Sequence, residues 1–302
     1  MDNQINICLA CDDNYAKYAG VVIASIMKNS ESDEILNFYI LDGGISDDNK
    51  SKFNELKTIK NCNIEFVQID ESMFEDYKKV ATHKYLSIAA YYRLRLATLL
   101  PNIDRIIYFD CDVIVNSSLK ELFNIDLHNN IIAGVKDINK KMLKINPNYI
   151  NSGMIVMDLN KIRQENIEQQ FYDWTKEHIE TIKVGDQEII NEVLKNRIEI
   201  VNDEWNVQSS NFTNRSSYTS NPKVIHYVAK KKPWHYGSFS YHRDYYFKYL
   251  QLTPWKLSSK ELFYWTKVNQ VVSLLKYVQY RPFFLFRPRF YKAIYYTYFN
   301  KI

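Results

Sequence analysis

Few residues of this 302-residue chain are cysteine, glycine or proline: four, seven and seven, respectively. Four scattered cysteines are too few for the disulfide framework of a small secreted domain, and their scarcity is typical of a protein in a reducing cytoplasm. The sequence has no run of about 18 apolar residues, so no membrane-spanning helix is expected. The segment MDNQINICLACDDNY at its start lacks the regions of a signal peptide, which favours a cytoplasmic location.

Acidic residues are absent from the end of the chain, where aromatic residues are abundant. Residues 263–302 contain seven Lys or Arg, fourteen aromatic residues and no Asp or Glu. Because the whole chain carries a net charge of +4, the residues before this segment carry −3. Basic side chains interleaved with aromatic ones are typical of segments that bind an anionic membrane surface. The alternatives are a helix pair packed on the protein and, least favoured, a nucleic-acid-binding segment. Pro282 and Pro288 predict helices separated by a break.

Apolar strands and amphipathic helices alternate along the first 115 residues. The predicted strands are INICLAC, NFYILDGG, NIEFVQID and RIIYFDCDVIV, and the predicted helices are YAGVVIASIMKNS, SDDNKSKFNELK and SIAAYYRLRLATLLP. This order predicts a mostly parallel α/β sheet with right-handed crossovers. Three later strands, IIAGVKD, INSGMIVMDL and VIHYVA, are predicted to extend the same sheet, with a helix over 159–178. We therefore predict a single Rossmann-type mixed sheet flanked by helices in a catalytic domain of residues 1–255. A basic, aromatic helical tail for membrane association follows at 256–302.

Two aspartates interrupt an apolar predicted strand in YFDCDVIV, residues 108–115. Aspartate is a poor strand former and is costly to bury unpaired. Residues i and i+2 of a strand face the same side, so Asp110 and Asp112 are predicted to converge, with Cys111 facing the apolar layer. A hard cation such as Mg²⁺ or Mn²⁺ would compensate both carboxylates and hold a substrate phosphate. The alternative is a solvated strand end with two exposed carboxylates.

A histidine and three lysines stand close together in HYVAKKKPWH, residues 226–235. Imidazole is a good ligand for Mn²⁺ or Zn²⁺, and the lysines are suitable counter-charges for a diphosphate. Taken singly, His226 is also consistent with a packed histidine and the lysines with a solvated loop. Together with the acidic pair, they predict a metal–diphosphate site.

Six segments, in the same order and at similar spacing, resemble glycosyltransferase family 8, particularly the bacterial lipooligosaccharide α-galactosyltransferases. They are ACDDNY (10–15), YYRLRL (91–96), YFDCDVIV (108–115), INSGMIVMDL (150–159), GDQE (185–188) and HYVAKKKPWH (226–235). The resemblance implies a GT-A fold, a UDP-sugar donor, Mn²⁺ as cofactor with Mg²⁺ as the alternative, and retention of anomeric configuration. It also implies transfer of a hexose, galactose rather than glucose, to the outer saccharide of a bacterial lipopolysaccharide or lipooligosaccharide. Such an enzyme would work on the cytoplasmic face of the inner membrane, with no nucleic-acid partner.

The resemblance further implies roles for individual residues. Asp110, Asp112 and His226 match the metal ligands, and Lys232 matches the lysine that pairs with the diphosphate. The other positions matched to UDP-sugar binding are Ala10, Asp12, Asn14 and Tyr15 on the uridine side, Cys111 between the metal ligands, Arg93, Asn151 and Gly153 near the ribose or sugar, and Asp186 and Gln187 around the donor hexose. Gln187 and Asp186 are the catalytic candidates.

Retention requires either attack from the face that the UDP leaves or two successive inversions. An amide such as Gln187 is a poor nucleophile, so we favour a front-face mechanism in which the departing phosphate accepts the acceptor hydroxyl's proton. Each matched residue also has a structural interpretation: Tyr15 as a surface aromatic, Arg93 as a charge on a helix face, Asp186 as a helix N-cap.

The sequence departs from the galactosyltransferases at three places. Ala229 replaces a glycine after HYV, residues 85 and 86 match only loosely, and residues 136–149 match hardly at all. Ala229 favours one alternative, a sugar-nucleotide- or glycan-binding protein without turnover. A second alternative, a phosphatase of the haloacid dehalogenase type, also uses an Asp-x-Asp motif. Ile114 stands where those enzymes carry Thr or Val, and the motif lies far from the start of the chain.

Overall fold

The protein is described from a computed structural model. The structure describes residues 3–84, 87–209, 221–228, 230–238, 240, 242–280, 282–288, 290 and 291.

Within the described residues, ten strands form two sheets. The main sheet contains β1 (Gln4–Cys11), β2 (Ile35–Asp42), β3 (Asn63–Gln68), β4 (Arg105–Phe109), β6 (Ile132–Lys136), β7 (Ile150–Asp158) and β8 (Ile198–Ile200). The second sheet contains β5 (Val113–Val115), β9 (Val207–Gln208) and β10 (Val224–His226).

The main sheet is mixed, with the strand order β3-β2-β1-β4-β7-β6-β8. Strands β3, β2, β1 and β4 are mutually parallel. Strand β7 runs antiparallel to β4 and β6, whereas β8 is parallel to β6. The sheet reverses direction between β4 and β7, so residues after the end of β4 lie beside residues at the start of β7. This placement positions the candidate site.

Helices cover both faces of the main sheet. The α-helices are α1 (Ala16–Asn29), α2 (Asp47–Glu55), α3 (Glu75–Lys84), α4 (Leu96–Leu99), α5 (Lys120–Phe123), α6 (Lys140–Ile145), α7 (Leu159–Gln164), α8 (Ile167–His178), α9 (Asp186–Val193), α10 (Arg243–Leu250), α11 (Ser259–Phe263) and α12 (Asn269–Tyr280). Shorter 3-10 turns include Ile88–Arg95, Asp203–Asn206 and Pro282–Phe286, and a π-helical turn spans Tyr264–Val268.

The alternation of side chains along β1 shows how the sheet divides the core. Ile7 and Leu9 face a cluster that includes α1 and α2, whereas Cys8 faces a second cluster that includes α3, α8 and α9. Successive residues of a strand point to opposite faces, so an apolar strand buried on both sides supplies both layers. The predicted α/β architecture, a large mixed sheet flanked by helices, is confirmed.

Four details of the predicted elements were wrong. The predicted strand 105–115 is interrupted at residues 110–112, so β4 and β5 belong to different sheets. The predicted strand at 224 therefore pairs in the second sheet and does not extend the main one. The predicted helix 87–101 is largely a 3-10 helix. The predicted helix 159–178 is divided at Asn166, whose φ of 51° is left-handed.

The C-terminal segment begins as part of the folded body. Trp255 packs on α1 and donates a hydrogen bond from Nε1 to Asn49 at 3.1 Å. Leu262 and Trp265 pack on a third apolar cluster with β10 and α10. Further along, Phe283 and Phe286 are 79% and 81% exposed. The predicted break is present, since α12 ends before Pro282 and a 3-10 turn begins there. Among the helices that the structure describes, none combines the length and apolar character needed to cross a bilayer.

Candidate functional site

The Asp-x-Asp segment forms the junction between the two sheets. Strand β4 ends at Phe109, and the main-chain N–H of Asp110 donates to the Gly153 carbonyl on β7 at 2.9 Å. The N–H of Tyr227 donates to the Asp112 carbonyl at 3.0 Å, directly after β10. Because β5 and β10 are antiparallel, with Val113 opposite His226, the imidazole lies next to the acidic pair. The turn, not a continuous strand, therefore brings the two carboxylates together.

Asp110, Asp112 and His226 form a cluster suited to one cation. Each offers a ligand atom, and these atoms lie within 4.8 Å of one another. His226 Nε2 is 3.1 Å from Asp112 Oδ1 and 3.8 Å from Asp110 Oδ2. Asp112 Oδ1 is buried, and no donor among the described residues reaches it with hydrogen-bond geometry. An unsatisfied buried carboxylate oxygen beside an imidazole nitrogen fits a divalent cation, and a mixed oxygen–nitrogen donor set suits Mn²⁺.

Lys232 contacts the carboxylate oxygen of Asp112 that does not face the histidine. Its Nζ is 2.5 Å from Asp112 Oδ2 and donates to the Tyr227 carbonyl at 2.6 Å. Burial alone would raise the pKa of Asp112, but the charge of Lys232 and the neighbouring imidazole of His226 outweigh that effect and lower it well below its ordinary value. Asp112 is therefore ionised at neutral pH, as a cation ligand must be.

Gly153 allows the histidine and Asp110 to approach β7. A Cβ built on this glycine would lie 2.1 Å from His226 Cε1, 2.6 Å from its Nδ1 and 2.9 Å from Asp110 Oδ2. Contacts under 3.0 Å are essentially absent from real structures. The glycine is thus required by close packing within the cluster.

Arg93 connects the cation cluster to Asp186 beneath the pocket. Its Nη2 is 2.5 Å from Asp110 Oδ1, its Nε is 3.2 Å from Asp186 Oδ2, and its Nη1 donates to the Ser152 carbonyl at 2.6 Å. The guanidinium also stacks 4.1 Å above the Tyr108 ring. Burial would lower the pKa of Arg93, but Asp110 and Asp186 outweigh it and raise the pKa. The guanidinium donors of Arg93 are thus directed mainly to protein atoms.

Asp186 and Gln187 begin helix α9 and lie in a buried polar network. Gln187 Oε1 accepts from Asn151 Nδ2 and from the Ser152 N–H, both at 3.1 Å, and its Nε2 donates to Asp137 Oδ2 at 3.0 Å. Asp186 Oδ2 accepts from Ser152 Oγ at 3.2 Å. Burial raises the pKa of Asp186 despite the opposing charge of Arg93. The pair is held firmly beside the cation cluster.

A cavity of about 270 Å³ opens next to the cluster, at the ends of β1 and β4. Asp12, Tyr15, Arg93, Asp110 and Asp112 line it, together with Ala10, Cys11, Ser87, Ala89, Ala90, Tyr108 and Cys111. Tyr15 is 43% exposed, and its ring meets Tyr18 edge-on at 5.4 Å.

Two predicted neighbours of this cavity differ in exposure. Cys111 is buried against the apolar layer, as predicted, and its Sγ donates to the Ala10 carbonyl at 3.2 Å. Asn14 is exposed on the DDNY turn and is not among the cavity-lining residues. Ala229 lies outside the described residues, as do 85 and 86.

Three residues that support the site were not identified from the sequence. Asp137 accepts a hydrogen bond from Gln187, and Asn206 donates one to Asn151. Asp13 accepts from the Ser46 N–H and from Asn49 on α2. The hydrogen bonds from Ser46 and Asn49 lower the pKa of Asp13 to about 2. Asp13 stands in the DDNY motif, so its position could have indicated a role. Asp137 and Asn206 act across the fold, where no local pattern marks them.

The fold matches that of a solved glycosyltransferase. The galactosyltransferase LgtC, solved in complex with donor and acceptor sugar analogs, superposes with a TM-score of 0.71 at 22% identity. The match covers 85% of this chain and 98% of that one. The architecture is therefore the GT-A-like fold of that enzyme.

The sequence comparisons assign the family. The family described as "Glycosyl transferase family 8" matches residues 6–238, and the chain belongs to it. A Haemophilus influenzae protein, provisionally named a glycosyltransferase, is 35% identical over 248 residues, covering 76% of this chain and 73% of its own. A lipopolysaccharide 1,2-glucosyltransferase of Escherichia coli is 25% identical over 276 residues, covering 83% and 79%. The predicted resemblance to this family is confirmed.

Proposed function

We propose that the chain is a retaining hexosyltransferase that moves a hexose from a UDP-sugar to a saccharide acceptor. The observation that carries the proposal is the convergence of Asp110, Asp112 and His226 next to the cavity, which both aspartates line, with Lys232 beside Asp112. A divalent cation with a diphosphate needs this combination of acidic ligands, an imidazole and a separate positive charge.

The uridine side of the donor would occupy the cavity between β1 and β4. Tyr15 presents a half-exposed ring at its rim, suited to stacking on a base, and Asp12 lines the same wall. Ala10 and Cys111 also line the cavity, where small side chains would leave room for the ligand. Asn14, on the adjacent turn, would contact the uridine from outside the cavity as the donor binds.

Mn²⁺, or Mg²⁺ as the alternative, would be held by Asp110, Asp112 and His226. Bound there, the cation supplies Lewis-acid stabilisation of the UDP leaving group. Lys232 is 17% exposed and can pair with the diphosphate, so its charge would add to that stabilisation.

The donor hexose would lie between Arg93, Asn151, Gly153, Asp186 and Gln187. Both lone-pair directions of the Gln187 amide oxygen are taken by hydrogen bonds, which makes that oxygen a poor nucleophile. Asp186 has a raised pKa and is held by Ser152 and Arg93, which favours a role in binding sugar hydroxyls. Both observations support front-face attack, with the departing phosphate accepting the proton of the acceptor hydroxyl.

Relatives support the substrate class in general terms. The Escherichia coli relative is named a lipopolysaccharide glucosyltransferase, and LgtC is named a galactosyltransferase. We propose galactose as the donor hexose and the outer saccharide of a bacterial lipopolysaccharide or lipooligosaccharide as the acceptor.

The C-terminal segment would hold the enzyme on the membrane. We propose that residues 1–255 perform catalysis and that residues 256–302 attach it to the cytoplasmic face of the inner membrane. Phe283, Leu285 and Phe286 are exposed beside the basic Arg287. Exposed aromatic and basic side chains together suit an anionic lipid surface. Sedimentation with vesicles containing anionic lipid, compared with neutral vesicles, tests this part: equal recovery with both contradicts it.

UDP release from a panel of UDP-sugars tests the transferase proposal. The purified protein is assayed with Mn²⁺ and with chelator, beside Asp110→Asn. We expect metal-dependent release from one UDP-hexose and its loss in the variant. A second assay follows the melting temperature with UDP plus Mn²⁺, since a ligand that binds the folded state raises it. No release and no shift in melting temperature would refute the donor site.

A further inference from the structure

Asn206 is a buried polar residue next to the cation cluster. It ends the 3-10 turn Asp203–Asn206 and directly precedes β9, which runs parallel to the strand carrying His226. Its side chain is 1% exposed. A buried amide needs hydrogen-bond partners for both its donor and its acceptor.

Both ends of this amide are used within the site. Asn206 Nδ2 donates to Asn151 Oδ1 at 3.0 Å, and Asn206 Oδ1 lies 3.2 Å from His226 Nδ1. Asn151 Oδ1 lies 2.9 Å from the same ring nitrogen and also accepts from the Gly153 N–H at 3.1 Å. Two amide oxygens thus face one nitrogen of the imidazole.

The arrangement determines where the imidazole proton lies. The main-chain N–H of Gly153 can only donate, so the atom that receives it must be the oxygen of Asn151. If the side-chain amide of Asn206 were rotated by 180°, its oxygen would face Asn151 Oδ1, and two acceptors would be in contact with no hydrogen between them. Both atoms facing His226 Nδ1 are therefore acceptors, and Nδ1 carries the proton. The lone pair of Nε2 is then directed to the side where Asp110 and Asp112 lie.

We propose that Asn206 is a positioning residue that keeps His226 Nε2 available as a cation ligand. It accepts from Nδ1–H directly and also holds Asn151 Oδ1, the second acceptor. Asn151 Nδ2 in turn donates to Gln187 Oε1 at 3.1 Å, so three hydrogen bonds connect the imidazole to the sugar side. The inference rests on the proposed function only in taking His226 as a cation ligand.

The first test measures the dissociation constant of Mn²⁺ in the presence of UDP for two variants. Asn206→Leu removes both hydrogen bonds, and we expect Mn²⁺ to bind at least about tenfold more weakly, as for other residues that orient metal ligands. Asn206→Asp keeps an acceptor for Nδ1–H but loses the donor to Asn151 Oδ1, and should recover part of the affinity. Asn37→Leu is the matched control, because Asn37 is also a buried asparagine bonded to two asparagines, but on strand β2 of the main sheet. It should leave Mn²⁺ affinity unchanged.

The second test needs no change at Asn206. Nitrogen NMR of the metal-free protein, with His226→Gln to assign the signal, shows which ring nitrogen of the neutral imidazole carries the proton. We expect the proton on Nδ1, and faster exchange of that proton with water in Asn206→Leu. A proton on Nε2 would overturn the inference, as would wild-type Mn²⁺ affinity in Asn206→Leu or equal losses in the Leu and Asp variants. A wild-type protein with Nδ1–H that binds no Mn²⁺ would instead overturn the cation site of the proposed function.

Discussion

Gly153 is the position at which we expect the addition of a single methyl group to disrupt the candidate cation site. Gly153→Ala would place a carbon 2.1 Å from His226 Cε1, whereas ordinary contact begins at 3.4 Å. To remove this clash, the imidazole would have to move by more than about 1 Å. Such a movement is opposed because two amide oxygens are hydrogen-bonded to His226 Nδ1. Displacements of about 1 Å in a catalytic site cost about a hundredfold in rate, and overpacking a buried site costs about 1–3 kcal/mol of stability.

The assay follows Mn²⁺-dependent UDP binding through the melting temperature, together with UDP release. Gly153→Ala should lose the shift produced by UDP plus Mn²⁺. Gly134→Ala is the matched control: its added carbon would lie 2.7 Å from Ile150 Cδ1, the movable end of a side chain. Near-wild-type UDP binding by Gly153→Ala would refute the reasoning, because His226 or Asp110 would then tolerate displacement.

Three further variants test other parts of the site. Arg93→Met removes the positive charge between Asp110 and Asp186, and urea denaturation should show a loss of about 3 kcal/mol, as for other broken buried ion pairs. A change of less than about 1 kcal/mol in the free energy of unfolding would contradict this expectation. Lys232→Met should weaken the binding of UDP about tenfold in the presence of Mn²⁺, because it removes the proposed charged hydrogen bond to the diphosphate. Titration calorimetry measures this affinity, and an unchanged value would exclude the contact. Asp186→Asn should raise the melting temperature at neutral pH, because burial raises the pKa of Asp186 and its ionised form therefore destabilises the folded state. That gain should disappear as the pH falls towards the ordinary value of 3.8, and a gain that grows on acidification would refute it.

The strands and the cluster of Asp110, Asp112 and His226 were predictable because they depend on local patterns. Strand β1 alternates between two apolar layers, and the Asp pair stands out against the apolar residues on both sides of it. His226 follows a short apolar run, so its position at the end of a strand was also visible. The assignment of β10 to the second sheet could not be predicted. Its partner β5 (Val113–Val115) is as apolar as the interior of β4, so the sequence does not show that β4 and β5 belong to different sheets.

The supporting residues were harder to predict because their partners are distant in the chain. Asp137 reaches Gln187 fifty positions later, and Asn206 reaches Asn151 fifty-five positions earlier. Neither belongs to a motif with a regular period. Arg93 was identified from a local motif, but its contacts with Asp110 and Asp186 follow only from the three-dimensional packing.

The start of the C-terminal segment has a consequence for how the protein can be shortened. Trp255 donates a hydrogen bond to Asn49, which in turn donates to Asp13 on the DDNY turn. Arg243 donates to the carbonyls of Trp265 and Pro233, and Pro233 is next to Lys232. A stop codon at the boundary between residues 255 and 256 would remove Trp265 and disturb the lysine loop. A variant intended to lack only the proposed membrane-binding residues should therefore retain the chain through Tyr280, at the end of α12, because the buried Asn269 accepts from the Gly237 N–H and Lys276 lies over the Tyr236 ring. Truncation there would separate loss of the proposed lipid attachment from damage to the candidate donor pocket.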